Sequence, residues 1–159
     1  MKTNNEKTNV MRVLDKHGVE YKSHYYAATE AIGGMDVAKV LNQNPDHVFK
    51  TLVTVGNSKN HYVFMVPVNK ELNLKKAAKA VGEKSIEMIK SKELLPLTGY
   101  IHGGCSPIGM KKPFKTTIHI SAADFDTIMF SGGKIGYQVE TSLEGLKSVV
   151  SFELHDIAD

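Results

Sequence analysis

One cysteine, one arginine and no long apolar run set the first limits on this 159-residue chain. A lone Cys105 excludes an internal disulfide and fits a reducing compartment. Arg12 is the only guanidinium, so bidentate reading of base edges is not this chain's main device. No apolar run approaches the ~20 residues that a membrane span needs. The amino-terminal MKTNNEKTN is polar with no apolar stretch behind it, so no signal peptide is read there. The expectation is a cytoplasmic protein of one domain, residues 1–159, with no membrane partner.

The common catalytic kits are missing too. No GxGxxG stands between a first strand and a helix, which disfavours a doubly wound dinucleotide fold. Gly104 to Gly109 has the GxxxxG spacing of a phosphate loop, but Met110 and Lys111 follow where that motif needs Lys and Ser/Thr. The seven histidines, His17, His24, His47, His61, His102, His119 and His155, form no HExxH and no i,i+4 pair. With one cysteine, a zinc site of the usual kind is not expected. No GxSxG elbow is present.

What is present is ordinary in amount and uneven in distribution. Apolar residues make up 42% and charged residues 23%, as in soluble globular proteins. The net charge is only +3. Yet residues 69–92 carry seven lysines (70, 75, 76, 79, 84, 90 and 92) against Glu71, Glu83 and Glu87, and Lys111, Lys112 and Lys115 follow. The tail from Gln138 is acidic. A basic middle suits a phosphate-rich partner; the bland reading is a solvated lysine face.

Periodicity predicts a helix over 6–17, ending at Gly18, and a strand over 19–26. A short helix covers Asp36 to Leu41. HVFKTLVTV (47–55), a turn at GNSKN, and HYVFMVPV (61–68) read as a β-hairpin. Asn73 caps LKKAAKAVG, with Gly82 as the stop. Ser85 caps a second short helix, IEMIK. Strands are expected at 99–102, 115–120, 127–131 and 136–140, then a helix at 143–147 and a strand in VVSFELHD. The irregular order argues for an α+β domain, with a mixed-strand, barrel-like sheet surrounded by helices.

Four features bear on chemistry. In GYIHGGCSPIGMKK (99–112), Gly103 and Gly104 allow close approach to their backbone N–H groups, and Ser106–Pro107 stiffens the loop. Such a loop serves either as a plain turn or as an oxyanion hole. SGGKIG (131–136) has similar chemistry, and two such loops at strand ends would make opposite walls of one pocket. Lys50 interrupts the apolar run HVFKTLVTV. If Val48 and Leu52 face inward, so does Lys50, and a buried lysine needs an anionic partner or a role. The alternative is an edge strand with Lys50 in solvent. Cys105 is either a nucleophile with His102 three residues away or a small buried residue, and the latter reading is favoured.

FKTL (49–52), LNLKKAAKAVG (72–82), TGYIHGGCSPIGMKK (98–112) and SGGKIG, in this order, resemble the YbaK/EbsC family over about residues 10 to 155. These are free-standing aminoacyl-tRNA deacylases similar to the editing domain inserted in bacterial prolyl-tRNA synthetase. The resemblance implies removal of cysteine from tRNA(Pro), and from tRNA(Cys), with no cofactor and no metal. It implies that the substrate's own thiol attacks its ester carbonyl. By motif it assigns Lys50 to the tRNA 3′ end, with Thr51 beside it. It assigns Gly103 and Ser131 to the two substrate loops, and Tyr26 or its neighbour Tyr25 to the pocket. Gly104, Ser106, Pro107, Gly132 and Gly133 become substrate contacts, and Lys75, Lys76, Lys111 and Lys112 phosphate contacts. A complex with prolyl-tRNA synthetase is an implied partner. The competing readings are an alanine-specific deacylase that uses water and a non-catalytic tRNA- or synthetase-binding module. No anticodon-binding element is evident, which predicts weak discrimination between tRNAs.

Overall fold

The computed structural model describes residues 7–26 and 34–159. Two β-sheets sit at its centre. The larger has five strands in the order β4-β2-β3-β5-β8. Here β2 is Phe49–Gly56, β3 His61–Pro67, β4 Ile86–Met88, β5 Lys115–His119 and β8 Phe152–His155. The smaller is an antiparallel sheet in the order β1-β7-β6, with β1 Lys22–Tyr25, β6 Ile128–Ser131 and β7 Tyr137–Thr141. A parallel bridge, Val48 to Met129, joins the two. The large sheet is mixed: β4, β2 and β3 are antiparallel, and β5 and β8 run parallel to β3. The mixed sheet with surrounding helices is as the sequence predicts, but the described strands do not close into a barrel.

Alternation along the strands builds a core on each face of the large sheet. Phe49, Met65 and Ile118 face α1 (Asn9–Lys16) and the small sheet, against Val10, Leu14, Phe130 and Val139. Tyr62, Phe64 and Val66 face α3 (Leu74–Val81) and meet Ala77 and Ala78. Helix α1 starts at Thr8, whose hydroxyl accepts from Met11 N–H at 3.3 Å. It spans less than the expected 6–17, and residue 6 lies outside the described residues. Helix α2 is Gly34–Val40 and α5 is Leu143–Lys147. Asn73 caps α3, accepting from Lys76 N–H at 3.0 Å, and Gly82 ends it at φ 76°. None of these described helices is long and apolar enough to cross a membrane.

Two local expectations are overturned. IEMIK is not a helix: Ile86–Met88 is strand β4, paired with Gly56, Val55 and Thr54. The open edge of β2 offers a ladder, which outweighs the weak helical preference of three residues. Residues 99–102 are not a strand. They follow an unpredicted helix α4, Ser91–Thr98, which Gly99 closes at φ 86°. Pro96 sits inside this helix, where it removes only one internal N–H bond.

Candidate active site

Strand β4 covers only residues 54–56 of β2, so the start of β2 has an open edge. Val68 N–H donates to the Val48 carbonyl and Gly56 N–H to the Asn60 carbonyl. Antiparallel alternation then turns the peptide groups of residues 50, 52 and 54 toward β3, and those of Thr51 away from it. Along this edge lies a cavity of about 550 Å³. Its walls come from β2, the β4–α4 connection, the Gly103 loop, α2 and the small sheet.

Tyr26, Lys50, Thr51, Gly103 and Ser131 all line this one cavity. Tyr26 is buried, and its N–H donates to the Gly136 carbonyl at 2.9 Å, which seats it against the SGGKIG turn. Its neighbour Tyr25 is 57% exposed and packs edge-on against Tyr137; it does not line the cavity. Lys50 is neither fully buried nor free in water. Its side chain is 28% exposed, and Nζ lies 3.8 Å from Glu71 Oε1. Glu71 is 90% exposed, so its carboxylate can swing into solvent and such a pair is worth at most about 1 kcal/mol. The Thr51 hydroxyl is buried with no hydrogen-bond partner among the described residues. Ser131 is buried, and its Oγ accepts from Gly133 N–H at 3.1 Å.

Gly104, Ser106, Pro107, Gly132 and Gly133 do not line the cavity; they shape what does. A side chain at Gly104 would put Cβ 3.2 Å from Ile135 N and 3.3 Å from Lys134 Cα. The two glycine loops are therefore packed on each other rather than standing as opposite walls. Gly103, at φ 89°, leaves its own missing Cβ 3.5 Å from Ile135. Gly133, at φ 92°, lies under Val10 and Tyr100, where a Cβ would come within 2.7 Å of Val10 Cγ2. Tyr100 pins both loops from beneath, with its hydroxyl donating to the Ile108 carbonyl. Ser106 is buried, its Oγ accepting from Ile108 N–H at 3.3 Å.

The predicted phosphate lysines divide. Lys75 is exposed on α3. Lys76 is held by Asp156 at 3.1 Å and Asp159 at 3.4 Å, and the Asp156 hydrogen bond raises its pKa. Lys111 and Lys112 are exposed in the loop before β5, away from the cavity lining.

Burial pushes the Cys105 thiol up to about 12, so it stays protonated at neutral pH. It lines the cavity as a small apolar group. His102 also lines it, exposed, with no hydrogen bond to orient it among the described residues. No described carboxylate lines the cavity, and no described cluster of three His, Cys, Asp or Glu side chains could hold a metal ion. Val48, Phe49, Leu52, Val53, Val68 and Leu94 make the lining mostly apolar.

Sequence reasoning missed Gln138. It lines the cavity from β7, is 7% exposed, and its Oε1 has no hydrogen-bond partner among the described residues. Alternation in YQVET set Gln138 and Glu140 on a polar face; that this face is covered was not visible in the sequence.

Residues 33–149 match the family described as aminoacyl-tRNA editing domain. Over 157 residues, covering 98% of this chain and 96% of the other, the chain is 43% identical to EbsC of Enterococcus faecalis, named as a Cys-tRNA(Pro)/Cys-tRNA(Cys) deacylase. Two solved structures share the fold. One is described as a trans-editing enzyme for prolyl tRNA synthetase (TM-score 0.83, 21% identity, 97% of this chain and 99% of that one). The other is the hypothetical protein APE2540 (TM-score 0.85, 19% identity, 94% and 99%).

Proposed function

The chain belongs to the aminoacyl-tRNA editing domain family, and on that premise we propose that it is a trans-editing deacylase that removes cysteine from tRNA(Pro), and from tRNA(Cys), by means of the substrate's own thiol. One observation carries the reading: a single, mostly apolar cavity gathers Tyr26, Lys50, Thr51, Gly103 and Ser131, and no described carboxylate enters it.

A water-using esterase needs an oriented general base within hydrogen-bond reach of the water. The described residues of the cavity supply none: burial holds the Cys105 thiol protonated, and His102 has no hydrogen bond to orient it among the described residues. A cysteinyl ester brings its own nucleophile. Its sulfur attacks the ester carbonyl, forming the C–S bond of a cyclic thiolactone. The carbonyl–oxygen bond to the ribose breaks, and the thiol proton ends on the released ribose hydroxyl. No water is consumed. The protein's part is to fold the acyl group so that sulfur and carbonyl meet, and intramolecular positioning can remove up to roughly 7–11 kcal/mol of a barrier. The apolar lining suits the short side chain. The Gly103 N–H and the Thr51 edge of β2 are the groups suited to the developing oxyanion. Lys50 serves the 3′-terminal phosphate as a point charge.

The reaction belongs to a cytoplasmic protein that meets charged tRNA, alone or with prolyl-tRNA synthetase. The test compares deacylation of Cys-, Ala- and Ser-tRNA(Pro) by the wild type, Lys50→Ala and Cys105→Ala. Cleavage of the cysteinyl ester alone, lost in Lys50→Ala and kept in Cys105→Ala, is the expected result. Preferred cleavage of the alanyl ester would move the protein to the water-using class.

A further inference from the structure

A second hollow, of about 590 Å³, lies between α3 and β4, on the other side of the large sheet from α1. Lys75, Lys79 and Lys84 line it. Lys75 and Lys79 stand four apart on one face of α3, and Lys84 follows the Gly82 stop. All three are exposed, and none forms an ion pair among the described residues. Among the described residues the one acid in the lining is Glu83, and its carboxylate is engaged elsewhere. It accepts from Ser58 N–H at 3.1 Å, from the Ser58 hydroxyl, and from the Tyr62 hydroxyl at 2.6 Å. The hollow therefore keeps a surplus of positive charge. Lys76, on the adjacent helix face, has its charge taken up by Asp156 and Asp159.

Strand β4 joins this hollow to the cavity. Ser85 and Ile86 line the hollow, and Met88, Ile89 and Lys90 line the cavity. At about 3.3 Å per extended residue, Ser85 and Met88 are some 10 Å apart. Lys90 borders the cavity and Lys92 is exposed beyond it, with Glu93, in the first turn of α4, accepting from Lys90 N–H at 2.9 Å. Glu87 alternates to the opposite side of the strand from Ile86 and Met88.

We propose that the α3–β4 hollow is the phosphate-binding groove for the body of the tRNA whose acylated end occupies the cavity, with Lys75, Lys79 and Lys84 as its contacts. The inference rests on the functional reading above and deepens it. It replaces Lys76 by Lys79 and Lys84 among the phosphate contacts. Ammonium groups read phosphates without regard to sequence, so the groove adds affinity and no tRNA selectivity.

The test uses the full chain, wild type and Lys79→Gln/Lys84→Gln, with Lys16→Gln on α1 as the control for lost charge. Three quantities are measured: the salt dependence of binding to uncharged tRNA(Pro), cleavage of Cys-tRNA(Pro), and cleavage of cysteinyl-adenosine, which has no tRNA body. The double variant is expected to lose nearly two from the slope of log affinity against log salt. It is expected to lose about tenfold or more in kcat/KM on Cys-tRNA(Pro), through KM, and to cleave cysteinyl-adenosine like the wild type. Lys16→Gln should change none of these. An unchanged salt slope and KM in the double variant would overturn the groove. A wild type that cleaves neither ester would sink the functional reading instead, and the salt slope would still decide the groove.

Discussion

Gly104 lies against the backbone of Ile135, so close that a Cβ on the glycine would stand 3.2 Å from the Ile135 nitrogen. Backbone cannot rotate away as a side chain can. Gly104→Ala must therefore separate the 103–109 loop from the 131–136 loop. The expected cost is roughly 1–3 kcal/mol of stability, as for overpacking elsewhere, with reduced deacylation because Gly103 and Ser131 move apart. Chemical unfolding together with a rate measurement checks this. A variant as stable and active as the wild type would show that the loops are not interlocked.

Lys50 and Glu71 give a second expectation. Glu71 competes weakly for the Lys50 ammonium at 3.8 Å. Glu71→Gln should lower KM for Cys-tRNA(Pro) by a few-fold at most, in keeping with a pair worth about 1 kcal/mol or less. Lys50→Ala should raise KM steeply, and Lys50→Arg should restore binding only in part. Steady-state kinetics at fixed salt separates these outcomes.

Cys105 is expected to be dispensable for the chemistry. Its thiol, pushed up to about 12 by burial, should react slowly with iodoacetamide at pH 8 in the native protein and quickly in denaturant. Cys105→Ala should keep deacylation while losing about 1 kcal/mol of stability. Loss of activity with retained stability would make the cysteine a participant.

His119 predicts a pH dependence of stability. It is buried; burial, foremost, lowers its pKa below 6.5, and Nδ1 accepts from Ile157 N–H at 3.2 Å. A depressed folded pKa means that the unfolded chain binds the proton first. The stabilisation is full above pH 6.5 and is lost as pH falls through the folded value. Melting temperature should fall between about pH 7 and 5 in the wild type and stay flatter in His119→Asn. Parallel curves for the two proteins would remove His119 from the account.

Most of the fold was legible where periodicity and caps agreed. The β2–β3 hairpin, and α3 between Asn73 and Gly82, stand where alternation and capping chemistry place them. The errors fell where tertiary context decides. IEMIK became a strand because β2 had an open edge beside it, and SKELLPLT became a helix despite Pro96. At the candidate site, the family motifs pointed to five residues that do share one cavity. What the motifs could not separate is contact from support. Gly104, Gly132 and Gly133 are glycines because other chain segments press on them. Nor could the sequence show that Lys76 is already paired with the acidic tail, or that Gln138 turns inward.

If the substrate thiol is the nucleophile, blocking that thiol must stop the reaction. Cysteinyl-tRNA(Pro) and the same tRNA carrying S-methylcysteine would be incubated with wild-type protein, and the released acyl product trapped and identified. Rapid release of a cysteine thiolactone is expected from the first, and no release above the uncatalysed rate from the second, although both bind. Comparable cleavage of the two esters, with free S-methylcysteine as the product of the second, would contradict it and assign the nucleophile to water.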